Sequence, residues 1–136
     1  MKKILAVAAA LLLILPALNA QEVQKIDKKN LVIKEWNTDA RTNARVLDHV
    51  TTYNADGKKV EEIEYGGNNR QKWRKRFEYG ADGKVSRELV YDEYNKLYGV
   101  KKFTYNEFGR KQTQYNYDGK GKLQTIKVFE YISEDA

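Results

Sequence analysis

His49 has Asp48 beside it, and these two side chains are the closest approach to an acid–base pair in a chain with one histidine and no cysteine. An imidazole can serve as a general base when a carboxylate within hydrogen-bond reach orients it. Neighbours along a strand point to opposite sides, so Asp48 cannot orient His49 in an extended segment. His49 is therefore read as a strand-face packing residue. Without thiolates, and with a single imidazole, the chain lacks the ligands of a transition-metal site, and neither metal nor cofactor is expected.

Carboxylates and glycines give no stronger signal. Glu61 and Glu62 fall on opposite faces of a strand, and a glycosidase needs two carboxyl groups at a fixed separation across a cleft. The run Tyr65-Gly66-Gly67-Asn68 lacks the lysine and hydroxyl residue of a phosphate-cradling loop. Asp118, Gly119 and Gly121 resemble part of a calcium loop, but Lys120 and Lys122 stand where carboxylates belong. Catalysis is not expected. What remains is a surface of rings and cations. Trp73, Phe77, Tyr91 and Tyr115 could stack against an extended glycan, and Arg87 and Lys101 could draw an acidic peptide or polysaccharide.

Whatever these residues do, a repeated turn must position them. Tyr53, Tyr79, Tyr105 and Tyr131 recur every 26 residues, and Tyr65, Tyr91 and Tyr117 form a second series with the same period. Four residues after the six tyrosines from Tyr53 to Tyr117 come Gly57, Asn69, Gly83, Asn95, Gly109 and Gly121, the types that best tolerate positive φ. A basic residue follows each of them. Asn54-Ala55-Asp56-Gly57 suits a type I turn closed by a left-handed glycine, which is hairpin chemistry.

The blocks between turns, 58–65, 70–79, 84–91, 96–105, 110–117 and 122–131, have strand length. With a strand near 44–53 and another near 31–36, the expectation is an all-β domain. It is an antiparallel meander of seven or eight strands, forming a single curled sheet or an incomplete barrel. Simple alternation places both tyrosine series on one face, with Glu62, Glu64, Arg74, Arg76 and Glu88 on the other. It sets Glu62 opposite Arg74, Glu64 opposite Lys72, and Arg76 opposite Glu88. On the tyrosine face it sets Glu61 opposite Lys75 and Arg87 opposite Lys101.

The recurring Tyr-x-x-x-Gly-Arg/Lys unit, most visible in YGADGKV and YNEFGRK, resembles the tyrosine-aspartate repeats of secreted bacterial shell proteins and the shorter MORN-like sheets. It is most similar to secreted Bacteroides-type families of unknown function, over residues 51–131. The resemblance implies a hairpin sheet and carries over no catalytic residue.

Lys2 and Lys3 precede an apolar run from Ile4 to Leu18 that is broken only by Pro16. Residues 1–20 have the charged and apolar regions of a signal peptide, with Ala20 at the cut. The mature chain then carries 23 basic against 19 acidic residues, a surplus that favours acidic partners. Residues 21–43 read as an irregular lead with an edge strand, 44–132 as the hairpin domain and 133–136 as a tail. The expected protein is periplasmic or extracellular, does not span a membrane after cleavage, and binds no nucleic acid. It is a binding or structural module for a polysaccharide or an envelope protein. A self-assembling or protein-interaction module of the cell envelope is the alternative.

Overall fold

The computed structural model describes residues 26–134; the expected leader, residues 1–20, lies outside them. Every turn forms where a residue able to take positive φ stands. Gly57, Gly83, Gly109 and Gly121 have φ of 73, 79, 76 and 85°, and Asn69 and Asn95 have 60 and 62°. Most turns are also pinned by their first side chain. Asn54 Oδ1 accepts from the backbone N–H groups of Asp56 and Lys58, and Asp92, Asn106 and Asp118 repeat the pattern. Such side-chain capture of backbone donors is why Asn and Asp open turns.

Eight strands result: β1 Val32–Thr38, β2 Arg45–Tyr53, β3 Lys59–Tyr65, β4 Gln71–Tyr79, β5 Val85–Tyr91, β6 Leu97–Tyr105, β7 Lys111–Asp118 and β8 Leu123–Val128. They lie in one sheet in chain order, all neighbours antiparallel, so β1 and β8 are free edges and the sheet is not a closed barrel. The last strand stops at Val128, short of the expected 131.

A β-bulge in every hairpin corrects the expected register. Tyr65 pairs with Gln71 but Glu64 with Trp73, which leaves Lys72 as the extra residue. Asp48, Val60, Ser86, Tyr98, Gln112 and Gln124 are skipped in the same way. Beyond each bulge the pairing is displaced by one residue, and a displacement of one exchanges the faces. Glu62 therefore faces Lys75, Glu64 faces Trp73 and Phe77 faces Glu88, in place of the three expected charge pairs. Glu61 faces Arg76, and Arg87 faces Lys102.

The two tyrosine series consequently occupy opposite faces. Following the pairing across the sheet, Tyr53, Tyr79 and Tyr105 share the front face with His49, Glu64, Trp73, Phe77 and Phe103. Tyr65, Tyr91 and Tyr117 share the back face with Ile63, Leu89 and Tyr115. Neither face is apolar enough to require a second layer. Accordingly Phe103, 9% exposed, is the one buried apolar side chain among the described residues. Stability has to come from backbone ladders and from side chains covering one another within each face.

The front face shows how that covering works. The hydroxyls of Tyr79, Tyr105 and Tyr131 donate to the carbonyls of Lys59, Val85 and Lys111 at 2.5, 2.6 and 2.6 Å, each contact reaching back 20 residues. Lys58, Lys84 and Arg110 lie over the same three rings. Each unit thus clips its tyrosine to the preceding one, at about 1 kcal/mol per hydrogen bond. Burial raises the Tyr79 and Tyr105 hydroxyls above the ordinary tyrosine range. Their contribution is whole below the unfolded value and lost as pH rises through the folded one. Urea titrations should show stability falling above about pH 10, with a shallower fall in the Tyr79→Phe/Tyr105→Phe double variant.

Candidate binding surface

The six residues expected to form one ligand face divide equally. Trp73, Phe77 and Lys101 lie on the front, while Arg87, Tyr91 and Tyr115 lie on the back. They cannot contact one ligand from the same side of the sheet. The hairpin bulges are the physical reason, since each reverses the phase of the alternation.

On the back face the guanidinium groups of β4 and β5 are engaged, whereas Lys34 and Lys102 have no carboxylate within ion-pair distance among the described residues. Arg87 makes a bidentate pair with Glu78, Nε to Oε2 at 2.7 Å and Nη2 to Oε1 at 2.9 Å. That hydrogen bonding holds the Glu78 carboxyl below the usual carboxylate range and Arg87 above the usual arginine value. Arg74 reaches Glu61 at 3.1 Å, donates to Asn95 Oδ1 and covers the Tyr91 ring at 4.1 Å. Arg76 lies 3.7 Å from the same Glu61 carboxylate. These guanidinium groups are paired with carboxylates of their own face.

Charge is unevenly spread over the front face. Glu62, Glu64 and Glu88 stand on β3 and β5, matched by Lys59 at 2.7 Å, His49 at 2.7 Å and Lys75 at 3.7 Å respectively. Lys101, Lys111 and Lys127 stand on β6, β7 and β8, and among the described residues none has a carboxylate within ion-pair distance. Lys101 faces Glu88 on β5, whose carboxylate is taken by Lys75, and Asn116 on β7, while Lys127 faces Gln114, so amide side chains lie between Lys101 and Lys127. From the pairing and strand spacing the three lysines form a triangle, with backbone separations of roughly 8 Å from Lys111 to Lys127, roughly 12 Å from Lys101 to Lys127 and roughly 14 Å from Lys101 to Lys111.

Gly99 opens the floor beside them. Between Val90 on β5 and Asp118 on β7 it has no side chain to stand up from the sheet, and a trough of about 660 Å³ runs over it, lined by Lys75, Lys101, Gln114, Asn116 and Thr125 among others. An added Cβ at Gly99 would come within 3.0 Å of the Tyr117 carbonyl oxygen, so the backbone itself favours glycine there. Asp118 is the carboxylate bordering the trough. Backbone N–H groups of Lys122 and Lys120 bond its Oδ1 and keep its carboxyl below the usual range.

The aromatic rings are less available than their types imply. Lys75 lies over Trp73 at 4.7 Å, Lys59 over Phe77 at 4.9 Å and Lys111 over Phe103 at 4.1 Å. A sugar stacking on these rings would first have to displace an ammonium group. Anions, by contrast, meet the cations directly.

His49 has a partner that adjacent-residue reasoning missed. Its Nδ1 lies 2.7 Å from Glu64 Oε2 across the β2–β3 pairing, and its ring meets Trp73 edge-on at 5.9 Å. Among the described residues no hydroxyl bonds the other ring nitrogen, and no cluster of three metal-ligating groups occurs. The pair ties β2 to β3 and β4. No protein-family model and no curated protein matches the chain.

Proposed function

We propose that this protein is an exported, non-catalytic binding module that takes an extended acidic polymer on the front face of β6–β8. The observation that carries the reading is the set Lys101, Lys111 and Lys127, none within ion-pair distance of a carboxylate among the described residues, spread as a triangle over three strands with Asn116 and Gln114 between Lys101 and Lys127. Three cations outside any ion pair at this spacing favour a flexible anionic chain over a compact ligand, and amide side chains can bond its carboxylate or hydroxyl groups. The cation-covered rings favour an acidic polymer over a neutral glycan. Export belongs to the same proposal and rests on Lys2, Lys3 and the apolar run behind them. Membership of a secreted hairpin-repeat family rests on the Tyr-x-x-x-Gly units.

Titration of the purified protein with polygalacturonate and with neutral dextran separates the possibilities, with intrinsic fluorescence as the readout. Saturable binding of the acidic polymer alone is expected, weakening with added salt because the contacts are exposed. The Lys101→Gln/Lys111→Gln variant should lose roughly tenfold in affinity. Equal binding of dextran, or an unchanged double variant, would return the surface to a purely structural role.

A further inference from the structure

We infer that the two free edges of the sheet fit each other, so that β8 of one copy pairs with β1 of a second copy and continues the meander. Both edge strands are exposed at every residue. Neither carries proline, and β8 has a single charged residue, Lys127, so the usual protections of an edge are sparse. Val32, Trp36, Ile126 and Val128 are 48, 42, 53 and 66% exposed, an unusual density of apolar side chains along two unpaired edges.

The polarity and the outward backbone groups are compatible. With eight strands in chain order, β1 and β8 run in opposite directions, so a copy placed beside the first in the same orientation presents β1 antiparallel to β8. Phe129 N–H donates to Gln112 O around the Val128–Thr113 pair, which turns the peptide groups of Val128 and Ile126 toward the open edge. Tyr53 N–H donates to Leu31 O around the Val32–Thr52 pair, and Asp39 N–H to Ala44 O around the Thr38–Arg45 pair. The outward peptide groups of β1 therefore belong to Val32, Lys34, Trp36 and Thr38. In both edge strands these residues have back-face side chains, so pairing them keeps front with front.

Side chains then select a register. Setting Lys127 opposite Glu35 puts an opposite-charge pair on the front face at a non-hydrogen-bonded position, where side chains are closest. The same register sets Ile126 against Trp36 on the back and Thr125 opposite Asn37 on the front. Pairing β8 with β8 at the register that centres on Lys127 would oppose two ammonium groups, and pairing β1 with β1 at the register that centres on Glu35 would oppose two carboxylates. A head-to-tail contact of this kind leaves a free β1 and a free β8 after each addition, so it grows beyond a dimer into an array or, where the rotation closes, a ring. Both faces stay open in such an array, but Lys127 is shared: its pairing with Glu35 of the next copy leaves Lys101 and Lys111 as the free cations of the polymer surface.

Light scattering of the purified protein across a concentration series tests this with Glu35→Lys, Lys127→Glu and an equal mixture of the two. The wild type should gain mass with concentration. Each single variant, now with like charges at the junction, should need about three- to tenfold higher concentration for the same mass. The mixture should recover to within about twofold of the wild type, since the ammonium group introduced on β1 of one variant then meets the carboxylate introduced on β8 of the other. Circular dichroism confirms that each variant keeps its sheet. A wild type that stays at the mass of one chain overturns the inference. So does a Glu35→Lys variant that assembles like the wild type, which is the outcome for β8–β8 pairing, and so does a mixture that stays dissociated.

Discussion

Phe103→Ala is expected to destabilise the sheet by about 3 kcal/mol, the low end of the range for removing a buried phenylalanine. Its ring is the most buried apolar side chain among the described residues, on the front face of β6, with Gln114 opposite and Lys111 over it at 4.1 Å. Removal takes away the apolar burial and leaves the Lys111 ammonium without its ring. The low end applies because the face is open. Water can occupy the vacated space, so no enclosed void is left to add its own penalty. Phe108 is the control: it lies in a turn, 80% exposed, and Phe108→Ala should change stability by less than about 0.5 kcal/mol. Urea unfolding of the two variants makes the comparison. A loss below about 1 kcal/mol at Phe103 would mean that backbone pairing alone holds the sheet.

Gly119→Ala is expected to cost about 2–3 kcal/mol through overpacking. An added Cβ would overlap the Leu97 carbonyl oxygen, a backbone atom that cannot swing aside as a side chain can. Gly67 holds the equivalent second position of the β3–β4 turn, yet nothing lies within 4 Å of its added Cβ. Neither glycine adopts the left-handed conformation, so backbone strain does not enter the comparison. Gly67→Ala should be neutral, or stabilising by up to about 1 kcal/mol through the unfolded chain. Similar losses at both positions in urea titrations would show that turn flexibility, rather than the Leu97 contact, sets the effect.

The turns were legible because their chemistry is restrictive. Only a few residue types tolerate the φ values at Gly57, Asn69, Gly83, Asn95, Gly109 and Gly121, so their spacing gives the number of strands and their order. The faces were not legible from simple alternation, because a bulge inserts one residue in every hairpin. Asp48, Val60, Lys72, Ser86, Tyr98, Gln112 and Gln124 share no residue type that would mark it. One signal was present all the same. Phe77, Phe103 and Phe129 each precede a tyrosine of the first series by two residues, whereas Ile63, Leu89 and Tyr115 hold that place before the second series. Two distinct patterns mark two distinct faces.

The same displacement explains what happened to the candidate site. Of the expected residues, Lys101 stands in the unpaired lysine set, and Trp73 and Phe77 share its face beneath lysines of their own. Arg87 is satisfied by Glu78 on the far side. Lys111 and Lys127 gain meaning only once the pairing shows them on the face of Lys101 without carboxylates. Their residue type alone does not distinguish them from Lys34 or Lys102, which point to the back.

That contrast supplies the most direct measurement: lysine acylation followed by mass spectrometry, with and without saturating polygalacturonate. Bound polymer should slow modification of Lys101 and Lys111 at least about threefold, as expected for shielding by a directly contacting anion, and leave Lys34 and Lys102 unchanged. Protection of the back-face lysines instead, or equal protection of both faces, would contradict a ligand surface on the front of β6–β8.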